Sequence, residues 1–480
     1  MQQAILTVDL GFGDAGKGSI VDFLTREYRA HTVVRYNGGA QAGHRVVTPA
    51  GAEHVFAQFG SGTLAGAATH LSRFMLVEPL AMRAEADHLH RLGVDAFDRT
   101  TIDARARVIT PFQRATNRLK ELARGGARHG SCGMGIGETA ADALAHGAST
   151  LYVGDLCRPD VLTAKLTFVR AINQAKVAAL RPALSDNEQV ADELSVLCDD
   201  DWLDWLVEEY RQFVDQAQIV EGDFLAARLR RPGAVIFEGA QGVLLDEAYG
   251  FHPHTTWSDT TLRNADRLLA EAGYAGAVQR IGITRAYATR HGAGPFVSED
   301  AALTHALPDA ANGNGAWQQG FRVGWLDLVM LRYACEVVGA LDLLAVTCLD
   351  RLAGLPKVQV CGQYRCGGQL IDRIAPPACP GDLTQQAVLT AQLQHARPRL
   401  TPLDDPAALI ARIEDQIKLP VGLLSTGASA RDKHWRGDAC RLSVASNGRD
   451  QVPAGAFPAR KSLPRARYAS GTTLTCSASG

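Results

Sequence analysis

The sequence predicts an α/β fold built on a largely parallel central sheet, and three observations carry that prediction. Short apolar runs alternate along the chain with longer segments whose apolar residues recur at helical spacing. Two of the apolar runs lead into glycine-rich loops, which is the usual position of ligand loops at the carboxyl ends of parallel strands. With 480 residues and 46% hydrophobic content, the chain is long enough to bury a large core.

Each predicted strand is a mostly apolar run of the length expected for a buried strand. In chain order, the predicted strands are Ile5–Leu10, Thr32–Tyr36, Ala234–Phe237, Arg280–Ile283 and Leu343–Leu349. The helices are predicted where apolar residues recur three and four positions apart. In chain order, the predicted helices are Val21–Tyr28, Phe112–Ala123, Val161–Lys176, Asp201–Ala217 and Trp325–Val338.

The length and composition predict one large domain with helical insertions, or two domains, over residues 1–446, followed by a tail over residues 447–480. Residues 184–215 are rich in Asp and Glu, which favours solvated helix and loop over an acidic interaction site. The tail is basic, rich in Pro, Gly and Ser, and without sustained periodicity, which favours a surface segment. A basic arm that reaches a partner subunit is the alternative.

Charge and cysteine usage exclude several classes of function. A formal net charge of −2 provides no bulk attraction to nucleic acid or to anionic membranes. No stretch has the roughly 18 apolar residues of a membrane span, and the start of the chain lacks a signal peptide, so a cytoplasmic location is expected. The ten cysteines are scattered and are expected to be reduced, and the spacing of Cys361, Cys366 and Cys379 is not a standard zinc pattern.

The first glycine-rich loop is the most informative segment. Gly11, Gly16 and Lys17 satisfy the phosphate-loop spacing G-x4-G-K, in which backbone N–H groups and a helix N-terminus bind anionic oxygens. Gly18 stands where ordinary nucleotide-binding loops carry a Ser or Thr that holds magnesium. Asp14 lies inside the loop, where its carboxylate could take the metal or a proton. This loop therefore indicates phosphoryl chemistry on a small molecule.

A second glycine-rich loop, R-Y-N-G-G-A-Q-A-G-H-R, follows the strand predicted to end at Tyr36. Its glycines allow a ligand to approach the backbone closely, and His44 could donate a proton or hydrogen bond to a polarised oxygen. Elsewhere, His252 and His254 favour packing or a substrate edge over a metal pair. Trp202, Trp205 and Tyr210 have helical spacing that favours an apolar core face over base stacking.

Together, the motifs G-x-G-D-x-G-K-G and R-Y-x-G-G-x-x-A-G-H resemble those of the adenylosuccinate synthetase family. Later segments resemble the family's motifs in the same order, so that the similarity spans about residues 4–435. These segments are F-E-G-A-Q-G-V-L-L-D (237–246), P-H-T-T-W-S-D-T (253–260), G-I-T-R-A-Y-A-T-R-H-G-A-G-P-F (282–296), R-V-G-W-L-D (322–327) and V-T-C-L-D (346–350).

The resemblance implies a Mg²⁺-dependent enzyme that uses GTP to phosphorylate the 6-oxygen of IMP and then lets the amine of aspartate displace phosphate. By resemblance, Asp14 is a magnesium ligand and general base, His44 is the general acid, and the carbonyl of Gly43 is a second metal ligand. The implied catalytic residues are Asp14, Lys17, His44 and Gln241. The implied nucleotide-binding residues are Gly13, Gly16, Lys17, Gly18, Asp350, Ser425 and Gly427, with Asp350 accepting the guanine N1 and N2 protons. The implied substrate-binding residues are Asn37, Gly39, Gln41, Ser131, Cys132, Gln241, Thr256 (near the 5′-phosphate) and Arg322.

Several departures from the family pattern affect the amine, the acceptor and the phosphate donor. The family's aspartate loop T-T-G-R-x-R corresponds to residues 316–322, where only Arg322 is retained. The family's R-R-G, which sends an arginine into the partner subunit's site, corresponds to A-H-G at 145–147. Cys348 replaces a lysine of the guanine motif, which could relax selectivity toward ATP, and Ala428 replaces the proline of S-x-G-P.

Two alternatives to adenylosuccinate synthesis therefore stay open. One is a divergent synthetase that uses another purine nucleotide, another amine or ATP, as in phage-type relatives that act on dGMP. The other is a non-catalytic nucleotide-binding module, which the joint presence of Asp14, Lys17, His44 and Gln241 disfavours. A small GTPase is disfavoured by Gly18 and by the lack of an N-K-x-D motif. The family is dimeric, so a homodimer is expected.

Overall fold

A computed structural model describes residues 2–309, 312, 317 and 320–437. The tail over 447–480 lies outside the described residues. In chain order the strands are β1 Gln2–Asp9, β2 Thr32–Arg35, β3 His44–Val47, β4 Glu53–Phe56, β5 Ala68–Leu71, β6 Leu76–Val77, β7 Thr100–Asp103, β8 Arg107–Val108, β9 Gln218–Val220, β10 Gly233–Glu238, β11 Ala277–Arg285, β12 Tyr287–His291, β13 Phe321–Asp327, β14 Leu343–Thr347, β15 Val358–Cys366, β16 Gln369–Ile371, β17 Arg397–Leu403, β18 Val421–Ser425 and β19 Lys433–Trp435.

The α-helices lie mostly between these strands. They are α1 Lys17–Glu27, α2 Pro79–Arg91, α3 Pro111–Ala123, α4 Ile136–His146, α5 Pro159–Leu180, α6 Glu188–Cys198, α7 Asp201–Gln216, α8 Phe224–Leu229, α9 Arg263–Glu271, α10 Ala301–Ala306, α11 Leu328–Val338, α12 Leu383–His395 and α13 Pro406–Ile417.

A ten-stranded sheet in the order β19-β18-β14-β11-β1-β10-β2-β5-β7-β9 forms the centre of the fold. The paired strands run parallel except for β19, which runs antiparallel to β18. The prediction of an α/β fold on a largely parallel sheet is therefore confirmed. A smaller sheet contains β12, β13, β15 and β16, with β17 paired to β15, and β3 and β4 form a hairpin.

The centre of the sheet is buried on both faces. Along β1, Leu6 packs in one apolar cluster, whereas Ile5 packs in another cluster with Ile20 and Leu24 of α1. Successive side chains of a strand point to opposite faces, so a mostly apolar run is what a strand covered on both sides requires. Because β1 and β2 both pair in parallel with β10, the carboxyl ends of these three strands lie side by side along one edge of the sheet.

The predicted helix over Trp325–Val338 begins too early. Residues up to Asp327 form β13, where Trp325 pairs with Tyr287, and helix α11 starts at Leu328. The Asp327 carboxylate accepts hydrogen bonds from the backbone N–H groups of Val329 and Met330 and so caps the helix. Apolar residues on both sides of this cap extend the helical spacing into the strand, which explains the error.

Helices α6 and α7 confirm the helical reading of the acidic region over residues 184–215. The aromatic residues there are not all in the core, however. Tyr210 is fully buried and Trp202 is half-buried, but Trp205 is 43% exposed, so the prediction of a core position for Trp205 is wrong. Among the described residues, no helix is long and apolar enough to cross a bilayer.

Candidate active site

Three loops meet at the carboxyl edge of the sheet, each following one of three adjacent parallel strands. They are residues 10–16 after β1, residues 36–43 after β2 and residues 239–242 after β10. Glycines allow their close approach: a Cβ added at Gly38 would lie 2.5 Å from the Cβ of Ala240, and one added at Gly242 would clash with the backbone of Gly11. The two glycine-rich loops predicted to act together are therefore neighbours, with the E-G-A-Q-G segment between them.

Asp9, at the end of β1, organises the first loop. Its carboxylate accepts hydrogen bonds from the backbone N–H of Gly11 at 2.8 Å and of Ala15 at 3.0 Å. The ammonium of Lys17 lies 2.7 Å from the same carboxylate, and both side chains are buried. Lys17 is expected to bind phosphate, and in this structure its ammonium is paired with the carboxylate of Asp9. The motifs in the sequence did not identify Asp9, although it directly precedes the loop.

Gly18 explains why the loop lacks the usual Ser or Thr. A Cβ at this position would lie 2.9 Å from the carbonyl oxygen of Arg45 and 2.9 Å from the carbonyl carbon of His44. The start of α1 therefore packs directly on the backbone at the start of β3. This contact brings the second loop, with His44, against the helix that follows the phosphate loop.

Asp14 lies in the first loop with a left-handed backbone conformation, φ 58°. Its side chain is 30% exposed, and its Oδ2 is 3.6 Å from Nε2 of His291. Gly43, in the second loop, is exposed. A partly exposed carboxylate and the backbone carbonyl of an exposed glycine are hard oxygen ligands of the kind that Mg²⁺ prefers, so these residues fit that ion.

His44 is the best-defined titratable group of the site. Its Nδ1 lies 2.6 Å from Oε1 of Glu238 at the end of β10, and both side chains are buried. Ser61 also donates to this carboxylate, from its backbone N–H at 2.9 Å and from its hydroxyl. The pair commits Nδ1 of His44 to Glu238 and leaves Nε2 for a ligand.

The two members of this pair have shifted pKa values. Burial lowers the pKa of His44 to about 4, against the opposing effect of Glu238. Burial alone would raise the pKa of Glu238, but the Arg35 guanidinium and the bonds from His44 and Ser61 bring that pKa down to about 2. Without a ligand, the pair is therefore a neutral imidazole that donates from Nδ1 to a carboxylate.

Two glutamine side chains at this edge have buried polar atoms without a partner among the described residues. They are Oε1 of Gln241 and both amide atoms of Gln41. Cβ atoms added at Gly38 and Gly39 would meet these amides at 3.4 and 3.1 Å, so both lie along the second loop. Buried polar groups are normally paired, and these unpaired amides therefore indicate a polar ligand.

Asn37, an implied substrate-binding residue, joins two of the loops. Its amide donates to the carbonyl of Ala240 at 3.0 Å and accepts from the N–H of Ala240 at 2.7 Å. Asn37 is fully buried, so its side chain joins the loops after β2 and β10. These two bonds hold the loops together at the site.

The predicted substrate loop around Ser131 and Cys132 connects α3 to α4. Helix α3 holds this loop: Asn117 donates to Ser131 Oγ at 3.0 Å and accepts from the N–H of Gly135, and Arg118 donates to the carbonyl of Gly133. These two α3 side chains were not found by sequence analysis, because their helical spacing carries no loop signal. Ile136, after the loop, would meet a Cβ on Gly39 at 3.1 Å, which places this segment beside the second loop.

Two further residues with implied substrate roles lie on neighbouring elements. The Thr256 side chain is half-buried, and its backbone N–H donates to Leu245 at 2.8 Å. Arg322, on β13, forms an ion pair with Glu299 at 2.7 Å and donates to the carbonyls of Gly292 and Gly294. Its guanidinium is thus engaged within the protein here.

The implied guanine-binding residues meet at the adjacent ends of β14 and β18. Asp350 is exposed in the short 3-10 helix Leu349–Leu352, after β14. Ser425 ends β18, and its hydroxyl donates to the carbonyl of Gly427 at 3.3 Å. Thr347, at the end of β14, donates to the carbonyl of Ala15 at 2.7 Å, which links this corner to the phosphate loop.

Part of the predicted aspartate segment lies outside the described residues, and the cysteines considered for a zinc site lie within them. In the segment that replaces the family's aspartate loop, residues 316, 318 and 319 lie outside the described residues, whereas Trp317 packs against Gly133. Cys361 is buried on β15 and Cys379 is exposed. Within the described part of the chain, no group of three or more His, Cys, Asp or Glu side chains is placed to hold a metal ion.

The fold and this site define an α/β enzyme in which a phosphate-loop lysine, a loop carboxylate and a carboxylate-paired histidine share one sheet edge. Comparison with known proteins then specifies the class. The family model for adenylosuccinate synthetase matches residues 6–434. The chain belongs to the adenylosuccinate synthetase family, and it is a ligase that forms a carbon–nitrogen bond.

Individual relatives agree with this assignment. The chain is 31% identical to the adenylosuccinate synthetase of Clostridium botulinum (strain 657 / Type Ba4) over 88% of this chain and 97% of that protein. It is 33% identical to that of Salinibacter ruber over 87% and 94%.

Two solved structures share the fold. Fully ligated adenylosuccinate synthetase from Plasmodium falciparum matches with a TM-score of 0.72 and 20% identity over 90% of this chain and 99% of that chain. The succinoaminodeoxyadenylate synthetase of cyanophage S-2L, bound to dGMP and to dATP as an energy donor, matches with a TM-score of 0.51 and 14% identity over 91% and 95%.

Proposed function

We propose that this protein is a GTP-dependent adenylosuccinate synthetase, which joins IMP and aspartate. The observation that carries the proposal is the meeting of the loop that bears Asp14 with the loop that leads into His44, with buried amide atoms of Gln41 and Gln241 unpartnered beside them. A binding module would need the phosphate loop but has no use for a histidine fixed by a buried carboxylate.

In the first step, the γ-phosphoryl of GTP is transferred to the 6-oxygen of IMP. The bond from the γ-phosphorus to the β–γ bridging oxygen breaks, a bond to the 6-oxygen forms, and the N1 proton passes to Asp14. His44 neutralises charge on the phosphoryl or its leaving group through Nε2. The arriving triphosphate charge favours the imidazolium form of His44, because a nearby opposite charge raises the pKa of an imidazole.

In the second step, the aspartate amine attacks C6. The new C6–N bond forms, the C6–O bond breaks, and inorganic phosphate leaves with the oxygen and takes up the proton that the amine loses. The amides of Gln41 and Gln241 are suited to hold the purine during both steps, because each offers a donor and an acceptor. Mg²⁺, held by Asp14 and the Gly43 carbonyl, would neutralise phosphate charge when bound.

The test is an assay of purified protein with GTP, IMP, aspartate and Mg²⁺, read as the ultraviolet change of adenylosuccinate formation. Asp14→Asn should reduce kcat by about 100-fold or more, as expected when general-base catalysis is lost. Asp95→Asn, which changes an exposed carboxylate away from the loops, is the matched control and should retain full activity. Unimpaired turnover by Asp14→Asn would contradict the mechanism.

A second candidate function is synthesis with another amine or another purine nucleotide. Residues 316–322 favour this candidate, because they retain only Arg322 of the family's aspartate loop and that guanidinium is engaged with Glu299. A mass-spectrometric panel of amines, purine nucleotides, GTP and ATP distinguishes the candidates. If no product formed from IMP and aspartate but a product formed from another purine nucleotide and amine, the second candidate function would be established. Size-exclusion chromatography with light scattering tests the expected homodimer.

A further inference from the structure

Lys433 is a buried lysine at the corner of the site that the proposed mechanism does not use. It begins β19, where it pairs in register with Ser425 of β18. Its side chain is only 5% exposed, and its ammonium donates to the carbonyl oxygen of Gly427 at 2.7 Å. A buried lysine is rare because desolvation of its charge is costly, so this position calls for a partner.

Lys433 lies beside the implied guanine corner, because its ammonium donates to the carbonyl of Gly427 and its strand pairs with the end of β18. Strands β14 and β18 are parallel neighbours, with Val346 level with Leu424, so the segment containing Asp350 lies beside the loop that follows Ser425. Burial lowers the pKa of Lys433 to about 8, and the nearby carboxylates of Asp432, Asp22 and Asp350 oppose that shift. Lys433 is therefore mainly cationic at pH 7 and faces the same corner as Asp350.

The ammonium retains donors for a ligand. An ammonium has three N–H groups, and the carbonyl of Gly427 takes one of them. The Ser425 hydroxyl donates to the same carbonyl at 3.3 Å, so the loop does not depend on Lys433 alone. At the end of the neighbouring strand β14, Cys348 stands where the family pattern has a lysine. The end of β14 therefore lacks the family's lysine, and Lys433 of β19 places a cation on the other side of the same corner.

We infer that Lys433 determines the base specificity of the phosphate donor by donating a hydrogen bond to the 6-oxygen of guanine. This inference rests on the proposed function, in which Asp350 accepts the N1 and 2-amino protons of that base. Guanine presents an acceptor at position 6 and donors at N1 and N2, which is the complement of an ammonium beside a carboxylate. Adenine presents a 6-amino donor toward the ammonium and lacks the N1 proton, so it is mismatched to both groups.

Binding of nucleotides tests this inference independently of turnover. Calorimetry with GTP, ATP and 6-thio-GTP compares bases that differ at position 6; the thio analogue keeps the N1 and 2-amino protons but has sulfur, a weaker acceptor. The wild-type protein should bind GTP at least tenfold more tightly than 6-thio-GTP, and more tightly still than ATP. In Lys433→Met, the preference for GTP over ATP should shrink by about 10- to 100-fold, the range for loss of a charged hydrogen bond.

Controls separate a base contact from support of the loop. Lys418→Met removes an exposed lysine paired only on the surface with Asp415, and it should leave every affinity unchanged. Lys433→Arg keeps the charge and should restore part of the preference for GTP. If Lys433→Met weakens GTP and 6-thio-GTP equally, the residue supports the loop without contacting position 6, and the inference is wrong.

The wild-type comparison needs no variant, so it decides the matter even if Lys433→Met fails to fold. Equal affinity of the wild-type protein for GTP and 6-thio-GTP would overturn the inference. Failure of the proposed function has a different signature: discrimination between the bases with no ligase product from any purine and amine.

Discussion

Substitution of Gly18 by alanine tests the packing that joins the two loops. The new methyl group would lie 2.9 Å from the Arg45 carbonyl oxygen and 2.9 Å from the His44 carbonyl carbon. Both are backbone atoms that cannot rotate away. Restoring an ordinary separation of 3.4 Å therefore requires the start of β3, or of α1, to move by about half an ångström.

Two effects of opposite sign set the stability of Gly18→Ala. Overpacking typically costs about 1–3 kcal/mol, while replacing a helical glycine by alanine contributes up to about 1 kcal/mol of stability. We expect a net loss of about 0–3 kcal/mol in the free energy of unfolding. The effect on kcat should be larger, about 10- to 100-fold, because the shift displaces His44 relative to the phosphate loop.

The assay combines urea unfolding with adenylosuccinate formation. Gly354→Ala is the matched control, since an added Cβ there has open space and its backbone is not left-handed. That variant should keep full activity and gain about 0.4–1 kcal/mol through a less flexible unfolded chain. If Gly18→Ala behaved like the control in both measurements, the close approach of α1 to β3 would not matter for catalysis and the reasoning would be refuted.

Three other predictions concern buried side chains that can gain or lose a proton. Glu238→Gln should lower kcat by about 10- to 100-fold with little change in the KM for GTP. The amide still orients His44, but it no longer stabilises the imidazolium form. An unchanged kcat would exclude a role for Glu238 in stabilising that form. Asp9→Asn should reduce the free energy of unfolding by about 3–5 kcal/mol in urea melts, because it leaves the Lys17 ammonium buried without its counter-ion, and adding Lys17→Met should recover part of that loss. Burial lowers the pKa of His70 to about 4, so the folded state binds its proton less readily than the unfolded state, and stability should fall as pH drops from about 6.5 toward 4. His70→Gln should flatten this dependence in pH-resolved melts, and an identical slope would contradict the assignment.

Local patterns in the sequence were sufficient to predict the fold class and the approximate positions of the strands and helices that were named, apart from the start of α11. The predicted strand over Ala234–Phe237 lies within β10, and the predicted helix over Phe112–Ala123 differs from α3 by one residue. Both succeed because a strand buried on both faces must be apolar throughout, and a helix packed on one face must be apolar at every third or fourth position. The error at Trp325 has the same origin, since a short apolar run before a helix satisfies both patterns.

The sequence by itself determined which residues carry the candidate chemistry, because the glycine-rich motifs follow strand ends and place Asp14 within one loop and His44 directly after the other. Only the tertiary structure decided how those residues are held. Glu238 is 194 positions from His44, yet the adjacency of β10 and β2 brings it to 2.6 Å from the imidazole. In the sequence, Gly18 is notable only because it lacks the hydroxyl of an ordinary phosphate loop. In the structure, its missing side chain allows the backbone of His44 to pack against helix α1. Such pairings depend on the order of strands in the sheet, and that order is set by the packing of the whole core, which no local pattern of residues records.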